Sequence, residues 1–219
     1  MPVLAHRAEF DRLDADALAA WREVPAAVAS DCLGRAFAMA GAISPLAPAM
    51  RVVGQARTVA CMAADNSALH AAIGRCAPGE VIVCDGRAFE NAALFGGLLT
   101  RAAQEARVAG LVIDGAVRDS EEIVEAGFPC FARAICPAGP HKGFGGTLDA
   151  PVACGGLSVA PGDLVIGDAD GVTVVPLARV AETLEAARAV LAKEARALES
   201  VAAGGSLAEV YGVPEVTEV

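Results

Sequence analysis

Residues 81–134 have the sequence VIVCDGRAFENAALFGGLLTRAAQEARVAGLVIDGAVRDSEEIVEAGFPCFARA. Short β-branched runs alternate along it with stretches of helical periodicity, a pattern typical of β-α-β units and a parallel segment of sheet. The predicted elements, in order, are a strand Val81–Cys84, a helix Ala92–Arg107, a strand Leu111–Ile113, a short helix Glu121–Glu125 and a strand Phe131–Ala134. We therefore expect a parallel sheet segment at the centre of the fold.

The flanking sequence extends this centre into one α/β domain of mixed sheet flanked by helices, covering residues 1–219. The further predicted elements are helices Arg12–Trp21 and Ala27–Met39, a strand 51–61, a helix 66–76, a glycine-rich loop 139–147 followed by short strands, and a helix Ala178–Val201. The expected divisions are N-terminal helices in 1–50, a core in 51–176, and a C-terminal helix and tail in 177–219.

Composition narrows the class of protein. The chain is 55% hydrophobic, 4% aromatic and 20% charged, which excludes disorder. Charged residues interrupt every apolar run before it reaches the roughly 20 residues that a membrane span needs. The N-terminus has no apolar region of the kind found in secretory signals. We therefore expect a cytoplasmic protein with no membrane partner. A net charge of −10 disfavours nucleic acid as a ligand but leaves a basic protein partner open.

Cysteine and histidine spacing gives no sign of a disulfide framework or a zinc site. The seven cysteines are scattered, with no CxxC pair, and the three histidines have no HxH or HExxH spacing. Reduced thiols that pack as small hydrophobic side chains are expected, with Cys84 as an example.

Polar residues follow consecutive predicted strands. They are Asp85-Gly86-Arg87, Asp114-Gly115 and Arg118-Asp119. Ligands of parallel sheets gather at the carboxyl ends of strands, so these residues are candidates for a site. Gly96 and Gly97 would each cost a helix about 1 kcal/mol relative to alanine. If the helix instead begins near Gly96, its free amides form an anion site.

Each of these features has a structural alternative. Asp119 and Glu122 form the pattern D-x-x-E, which predicts a capping box for the short helix, although a capping carboxylate retains a second oxygen for a metal. Arg118 could be an exposed charge beside a helix. Gly96 and Gly97 could serve close packing between elements.

The run DGAVRD at 114–119, preceded by GGLLTRAAQEA and followed by PGDLVIGDADGVTVVP, resembles the RraA-like family. Its members include 4-hydroxy-4-methyl-2-oxoglutarate/4-carboxy-4-hydroxy-2-oxoadipate aldolases, and the likeness extends from about Ser30 to the region of residue 194. The resemblance implies a β/β/α fold of the swivelling, phosphohistidine-domain type. It also implies a homotrimer or hexamer with active sites between subunits.

The resemblance further implies roles for particular residues. Arg118 would bind the pyruvyl group and Asp119 would ligate Mg²⁺ or Mn²⁺. Glu194, on the flank of the apolar stripe of the last helix, would complete a neighbouring subunit's site. The alternative is that Glu194 is only a solvated charge at the edge of that stripe. Backbone amides would hold the substrate carboxylate, namely those of Gly96, Gly97, Leu98 and Leu99.

Gly97 departs from the family pattern, because aldolase members usually carry Asp or Glu there, where it holds metal-bound water. The family also includes inhibitors of the endoribonuclease RNase E, and members labelled as menaquinone methyltransferases. No glycine-rich methyl-donor motif supports the latter label here. A run of glycines at 143–146 could bind phosphate, although such a run is more often a flexible loop.

The two lysines, Lys142 and Lys193, both lie outside the core strands, which disfavours Schiff-base chemistry. Polarisation of a 2-oxo acid by a metal fits the aspartates better. Together with the resemblance to the RraA-like aldolases, this predicts a divalent-metal-dependent class II aldolase. It would cleave a 4-hydroxy-2-oxo acid to pyruvate and a second 2-oxo acid, with oxaloacetate decarboxylation as a side activity. The alternative is a non-catalytic regulator that binds a basic segment of an RNase.

Overall fold

The structure is a computed structural model that describes residues 1–217. Its strands are β1 (Val3–Ala5), β2 (Ser44–Pro45), β3 (Val52–Cys61), β4 (Val81–Phe95), β5 (Gly110–Val117), β6 (Cys130–Ile135), β7 (Gly146–Leu148), β8 (Val152–Cys154), β9 (Leu157–Val159), β10 (Leu164–Asp168) and β11 (Gly171–Val175). Its helices are α1 (Ala15–Arg22), α2 (Ala26–Cys32), α3 (Ser67–Ile73), α4 (Gly97–Glu105), α5 (Ser120–Glu125), α6 (Val180–Ala202) and α7 (Leu207–Tyr211).

Within residues 1–217, nine strands form one mixed sheet, and β8 and β9 form a separate hairpin. Strands β3, β4, β5 and β6 are parallel neighbours, while β10 and β11 add an antiparallel pair to the first half of β3. The predicted class, a mixed α/β sheet flanked by helices with a parallel centre, is confirmed.

Apolar side chains form two cores. The larger is built on the central strands with α3 and α4, and β5 is buried at every position, as expected for a strand covered on both faces. The smaller core packs Trp21 and α2 against β10, β11 and the first half of α6. The larger core contains β4 and β5, whose carboxyl ends carry the polar residues.

Two predicted boundaries at the centre are wrong. The helix predicted from Ala92 begins only at Gly97, because β4 continues, with irregular pairing, through Phe95 beside β5. The strand predicted over Leu111–Ile113 extends to Val117, so Asp114 lies inside β5 rather than at its end.

The N-terminal region is also less helical than predicted. Helix α2 ends at Cys32 rather than Met39, because Gly34 and Arg35 both adopt left-handed backbone, with φ of 69° and 64°. Strand β1 pairs with β7, so residues 1–50 contain strand as well as helix.

The apolar stripe predicted for the last helix is correct only in its first half. Ala187 is buried in the smaller core, and Leu184 and Leu191 pack against it. Leu198 is 67% exposed, however, while Ala197 is buried instead. The last two residues of the predicted C-terminal tail, 218 and 219, lie outside the described residues.

All seven cysteines are free thiols, and Cys84 is fully buried, as expected. In the part of the chain that the structure describes, no helix combines the length and apolar character that a membrane crossing requires.

Candidate functional site

A cleft of about 90 Å³ opens where β4 ends and α4 begins. This is smaller than the roughly 300–1,000 Å³ of pockets for drug-sized ligands, which suits a small acid. Residues from the α4 and β5 ends form one wall: Gly96, Leu98, Leu99, Arg118 and Asp119. Residues from α3 and the glycine-rich loop form a second wall: Asn66, His70, Pro140 and Lys142.

The N-terminus of α4 contributes backbone donors to the first wall. Gly96 occupies the N-cap position in extended conformation, and α4 begins at Gly97. The helix thus starts where the predicted anion site requires it to start. The amides of Leu98 and Leu99 lie in the first turn, where no intrahelical carbonyl faces them. A larger residue at position 96 would displace its neighbours, because a Cβ there would lie 2.7 Å from Asp119 Oδ2 and 2.9 Å from Arg118 Cγ.

Asp119 does not cap its own helix, so the capping-box prediction is wrong. It has left-handed backbone, with φ of 55° and ψ of 40°, and no side-chain hydrogen bond to the first turn of α5. The Gly97 amide instead donates to Asp119 Oδ2 at 3.0 Å. Non-glycine residues adopt this conformation at a cost, and such strain clusters at functional sites. The turn directs the carboxylate across to α4.

Arg118 lies beside this carboxylate, just after the end of β5. Its Nε is 3.5 Å from Asp119 Oδ2, and its backbone amide donates to the Phe95 carbonyl at 2.9 Å. A Cβ at Gly139 would lie 2.9 Å from Arg118 Nη1, so the glycine leaves room for the guanidinium. The side chain is half-buried. A planar cation thus lies next to free helix amides, an arrangement suited to a carboxylate.

Gly97 leaves a space that the Glu122 carboxylate occupies. A Cβ added at Gly97 would collide with Glu122 Oε2. Glu122 is 59% exposed, and the nearest cation is Arg101, at 4.0 Å. An acidic group therefore stands next to position 97 although the residue itself is glycine.

Asn66 lies on the second wall, and its role was not predicted. It is the N-cap residue of α3, yet its side chain makes no capping hydrogen bond. Its Nδ2 donates to the Leu94 carbonyl at 2.9 Å, while its Oδ1 is buried without a hydrogen-bond partner. In the sequence, Asn66 stands only at the first position of the predicted helix 66–76, where no local signal indicates a site.

The glycine-rich loop brings Lys142 to the same wall. The loop is fastened by Asp65, whose Oδ2 accepts from the Phe144 amide at 3.0 Å. Burial raises the pKa of Asp65, but its hydrogen bonds with Ser67, Phe144 and Gly143 outweigh this and hold the pKa below its ordinary value. The loop is therefore anchored to α3 rather than independent of it.

His70, one turn along α3, lies near Lys142. Burial lowers the pKa of His70 first, and the charge of Lys142 lowers it further. The exposed Lys142 lacks the apolar surroundings that a Schiff-base lysine uses. The second wall thus carries the positive charge of Lys142 and contains one buried, unpaired acceptor, Asn66 Oδ1.

The other polar strand ends do not reach the cleft. Asp114 bonds to Arg133 Nε and the Gly155 amide, and Asp85 bonds to the Arg87 amide. These carboxylates stabilise the strands and their loops.

Glu194 is half-buried on α6 and is not among the residues that line the cleft of its own chain. Its predicted role in a neighbouring subunit stays a prediction. The glycines at 143–146 form part of the loop that Asp65 anchors, and no phosphate role is proposed for them.

The carboxylates at the cleft determine which kind of divalent metal site they could form. Within residues 1–217, no group of three or more His, Cys, Asp or Glu side chains is placed to enclose a metal ion. Mg²⁺, however, often uses only one or two protein carboxylates, together with water and substrate oxygens. Asp119 Oδ2 accepts from Gly97, and within the described residues Oδ1 receives no hydrogen bond. One free carboxylate oxygen at an open cleft fits a hydrated Mg²⁺ or Mn²⁺, and does not fit an enclosed structural ion.

Comparison with known proteins places this cleft in a family. Residues 19–174 match the sequence model described as RraA-like, Aldolase/RraA. The chain belongs to the RraA-like family. A curated RraA-like relative from Halalkalibacterium halodurans, named "putative 4-hydroxy-4-methyl-2-oxoglutarate aldolase", is 36% identical over 179 residues, covering 82% of this chain and 85% of the relative.

Solved structures agree with the RraA-like fold. An uncharacterized protein from Pseudomonas syringae pv. tomato is 26% identical, with a TM-score of 0.81 over 92% of this chain and 100% of the other. A Streptomyces coelicolor protein, described as an unusual member of the RNase ES inhibitor RraA protein family, is 27% identical, with a TM-score of 0.76 over 86% of this chain and 99% of the other. The family and fold predicted from sequence are both confirmed.

Proposed function

We propose that this RraA-like protein is a lyase that cleaves a 4-hydroxy-2-oxo acid of the 4-hydroxy-4-methyl-2-oxoglutarate type to pyruvate and a second 2-oxo acid. The observation that carries the proposal is the meeting of Arg118, the free amides of α4 and the Asp119 carboxylate in one small cleft. The name of the curated relative supports the same reaction class.

In the proposed reaction, the C4 hydroxyl loses its proton and the C3–C4 bond breaks. C4 becomes the carbonyl carbon of the departing 2-oxo acid, and the electron pair passes to C3 as a pyruvate enolate, which then gains a proton. The Leu98 and Leu99 amides bind the C1 carboxylate. Arg118 lies where negative charge develops and stabilises the enolate through paired N–H groups.

Asp119 would hold Mg²⁺ or Mn²⁺ through its free oxygen, and the ion would polarise the 2-oxo group. Oxaloacetate decarboxylation gives the same enolate, so the protein should also release pyruvate from oxaloacetate. We further propose that the protein is a homotrimer or hexamer in which Glu194 of one subunit completes the cleft of the next.

The test is pyruvate release from 4-hydroxy-4-methyl-2-oxoglutarate and from oxaloacetate, measured with added Mg²⁺ or Mn²⁺ and then with excess chelator. Release that is abolished by chelator and restored by metal supports the proposal. Absence of metal-dependent release from both substrates contradicts it.

A second candidate function is regulation by binding a basic protein segment. It is favoured by the net charge of −10, by Gly97, and by the RNase inhibitor family to which the Streptomyces protein belongs. Saturable, salt-sensitive binding to a basic RNase segment, together with no pyruvate release, would favour it over the lyase.

A further inference from the structure

Lys142 brings a positive charge into the cleft that no acidic side chain of its own chain neutralises. Four charged or titratable residues line the cleft, namely His70, Arg118, Asp119 and Lys142. Arg118 and Asp119 lie beside each other, with Nε 3.5 Å from Oδ2. In the part of the chain that the structure describes, no Asp or Glu lies within ion-pair distance of Lys142. A cation that lines a cleft without such a partner is a candidate to bind the anionic part of a ligand.

The backbone on both sides of Lys142 is fixed to the start of α3. The His141 amide donates to the Ala64 carbonyl at 2.7 Å, and the Gly143 amide donates to Ser67 Oγ at 2.8 Å. These bonds hold the loop at the cleft although the Lys142 side chain itself is exposed. The charge of Lys142 is therefore presented at the cleft by an anchored turn.

The charge of the second wall belongs to Lys142 rather than to His70. Burial lowers the pKa of His70 first, and the charge of Lys142 lowers it further, so the imidazole is neutral at neutral pH. A neutral imidazole can donate one hydrogen bond, but it does not attract a carboxylate as an ion does. Among the residues of the second wall, Lys142 is thus the one that carries a full charge.

The proposed substrate has a second carboxylate beyond its pyruvyl end. In 4-hydroxy-4-methyl-2-oxoglutarate this carboxylate is attached to C4, and after cleavage it is the carboxylate of the second 2-oxo acid. In the proposed reaction, Arg118 and the α4 amides bind the C1 carboxylate and the enolate, so a different cation is needed for the second carboxylate. The cleft measures only about 90 Å³, so a five-carbon chain that is bound at Arg118 extends to the second wall.

We infer that Lys142 binds the carboxylate on C4 of the substrate, and that it thereby selects substrates whose second product is a 2-oxo acid over those that would release an aldehyde or a ketone. This inference rests on the proposed function. The carboxylate is present in the ground state and in the transition state alike, so loss of Lys142 should raise KM more than it lowers kcat. Because Lys142 is exposed, solvent screens the interaction and keeps its contribution modest.

The binding test uses 2-oxoglutarate and 2-oxopentanoate, two five-carbon acids that differ only in whether C5 is a carboxylate or a methyl group. Neither has a C4 hydroxyl, so neither can be cleaved. Calorimetry on the full-length protein with Mg²⁺ should give a Kd for 2-oxoglutarate roughly 3–10-fold lower than for 2-oxopentanoate, as expected for one partly exposed ion pair. This difference should narrow as the salt concentration rises, because salt screens exposed charges.

Three variants test whether the difference comes from Lys142. Lys142→Met keeps the length of the side chain and removes its charge, so it should bind both acids equally. Lys142→Arg keeps the charge and should keep most of the preference. Lys193→Met removes the other lysine of the chain, which does not line the cleft, and should bind both acids as the wild-type protein does.

The kinetic test compares 4-hydroxy-4-methyl-2-oxoglutarate with 4-hydroxy-4-methyl-2-oxopentanoate, in which a methyl group replaces the second carboxylate. Cleavage of the latter would give pyruvate and acetone. Lys142→Met should lower kcat/KM for the diacid by roughly 3–10-fold, mainly through KM, and change that for the monoacid by less than about twofold. A general structural defect would lower both. The comparison of the two non-cleavable acids on the wild-type protein does not depend on whether Lys142→Met folds.

The outcomes separate the inference from the proposed function. If the wild-type protein releases pyruvate but binds 2-oxoglutarate and 2-oxopentanoate equally, the inference about Lys142 is wrong and the lyase proposal stands. A preference for 2-oxoglutarate that persists unchanged in Lys142→Met would also overturn the inference, because another group would then bind the carboxylate. If the wild-type protein releases no pyruvate from any of the substrates, the lyase proposal fails and the inference fails with it.

Discussion

Asp119 Oδ2 accepts a hydrogen bond from the backbone amide of Gly97 at 3.0 Å, and so joins the end of β5 to the start of α4 across the candidate site. The bond replaces the helix cap that the sequence predicts for Asp119. It also fixes one carboxylate oxygen and, among the described residues, leaves the other without a hydrogen bond. A residue that would otherwise only begin a helix is thereby available to a metal.

Replacing Asp119 by Asn should separate its structural and metal-binding roles. The amide oxygen can still accept from Gly97, so the free energy of unfolding should change by less than roughly 1 kcal/mol, or about 2–4 °C in Tm. Mg²⁺ binding, followed by calorimetry, should be lost. Glu121→Gln on the same helix is the control and should bind Mg²⁺ normally. Unchanged Mg²⁺ binding in Asp119→Asn would remove Asp119 from the metal site.

Replacing Arg118 by Lys should keep the charge and lose the planar pair of donors. Hydrogen bonds to charged groups contribute ~1.5–3 kcal/mol each, so kcat/KM for pyruvate release should fall by roughly 10–100-fold. Arg101→Lys on α4, where the side chain is exposed, should retain full activity. Full activity in Arg118→Lys would mean that a simple positive charge suffices.

The sequence predicted the order of strands and helices at the centre of the sheet but not where α4 begins. The run Ala92–Phe95 follows Asn91 and consists of two alanines, a leucine and a phenylalanine. These residues suit a buried strand and a buried helix equally. The run forms a strand because it pairs with β5. That pairing is a long-range contact, which the local sequence does not show. The Gly96-Gly97 pair was the local signal that marked the boundary.

The sequence predicted one part of the candidate site and missed another. Arg118, Asp119 and the α4 amides come from one continuous stretch, so their motif identified them. Asn66, His70 and Lys142 come from α3 and a loop that meet the motif only in the folded chain. No spacing rule connects them to Arg118, and Asn66 falls inside the predicted helix 66–76.

Replacing Gly97 by Asp should strengthen metal binding. An added acidic group near the ion should improve Mg²⁺ affinity by roughly 10–100-fold, as groups around metal ligands typically do. The new side chain collides with the Glu122 carboxylate, which is exposed and can rotate away. Calorimetry with Mg²⁺ measures the effect, and Gly97→Ala, which adds bulk without charge, is the control.

Glu122, whose carboxylate lies beside Gly97, allows a second comparison. Glu122→Gln alone should weaken Mg²⁺ binding if its carboxylate already serves position 97, and Gly97→Asp in the Glu122→Gln background should restore it. An unchanged Mg²⁺ affinity in all of these variants would show that neither position contributes to the metal site.

Replacing Lys142 by Met should raise the pKa of His70 toward its ordinary value, because one of the two effects that lower it is removed. The remaining effect, burial, keeps the pKa somewhat low. NMR titration of the His70 ring resonance measures the shift. Lys193→Met, which removes the contact of Lys193 with Tyr211 instead, is the control. No shift in Lys142→Met would show that the loop lies away from His70 in solution.

The same low pKa predicts the direction of a pH effect on stability. A histidine whose pKa is lower in the folded than in the unfolded chain contributes stability above the unfolded pKa, and this contribution is lost as the pH falls through the folded value. Urea unfolding at a series of pH values should therefore show a smaller loss on acidification for His70→Gln than for the wild-type protein. An identical loss would mean that His70 titrates equally in both states.

Glu194 should complete the cleft of a neighbouring subunit, and this can be tested by mixing inactive chains. Glu194 lies half-buried on α6 and does not line its own cleft, and Leu198 on the same helix is exposed, as an interface residue would be in a single chain. Arg118→Ala and Glu194→Ala chains should each be inactive. Mixed oligomers should recover part of the activity, because some interfaces pair an intact Arg118 with an intact Glu194. Activity of the wild-type protein should also fall on dilution as subunits separate. If mixed oligomers form by mass measurement and stay inactive, or if Glu194→Ala alone is fully active, then Glu194 is only a solvated charge at the rim of α6.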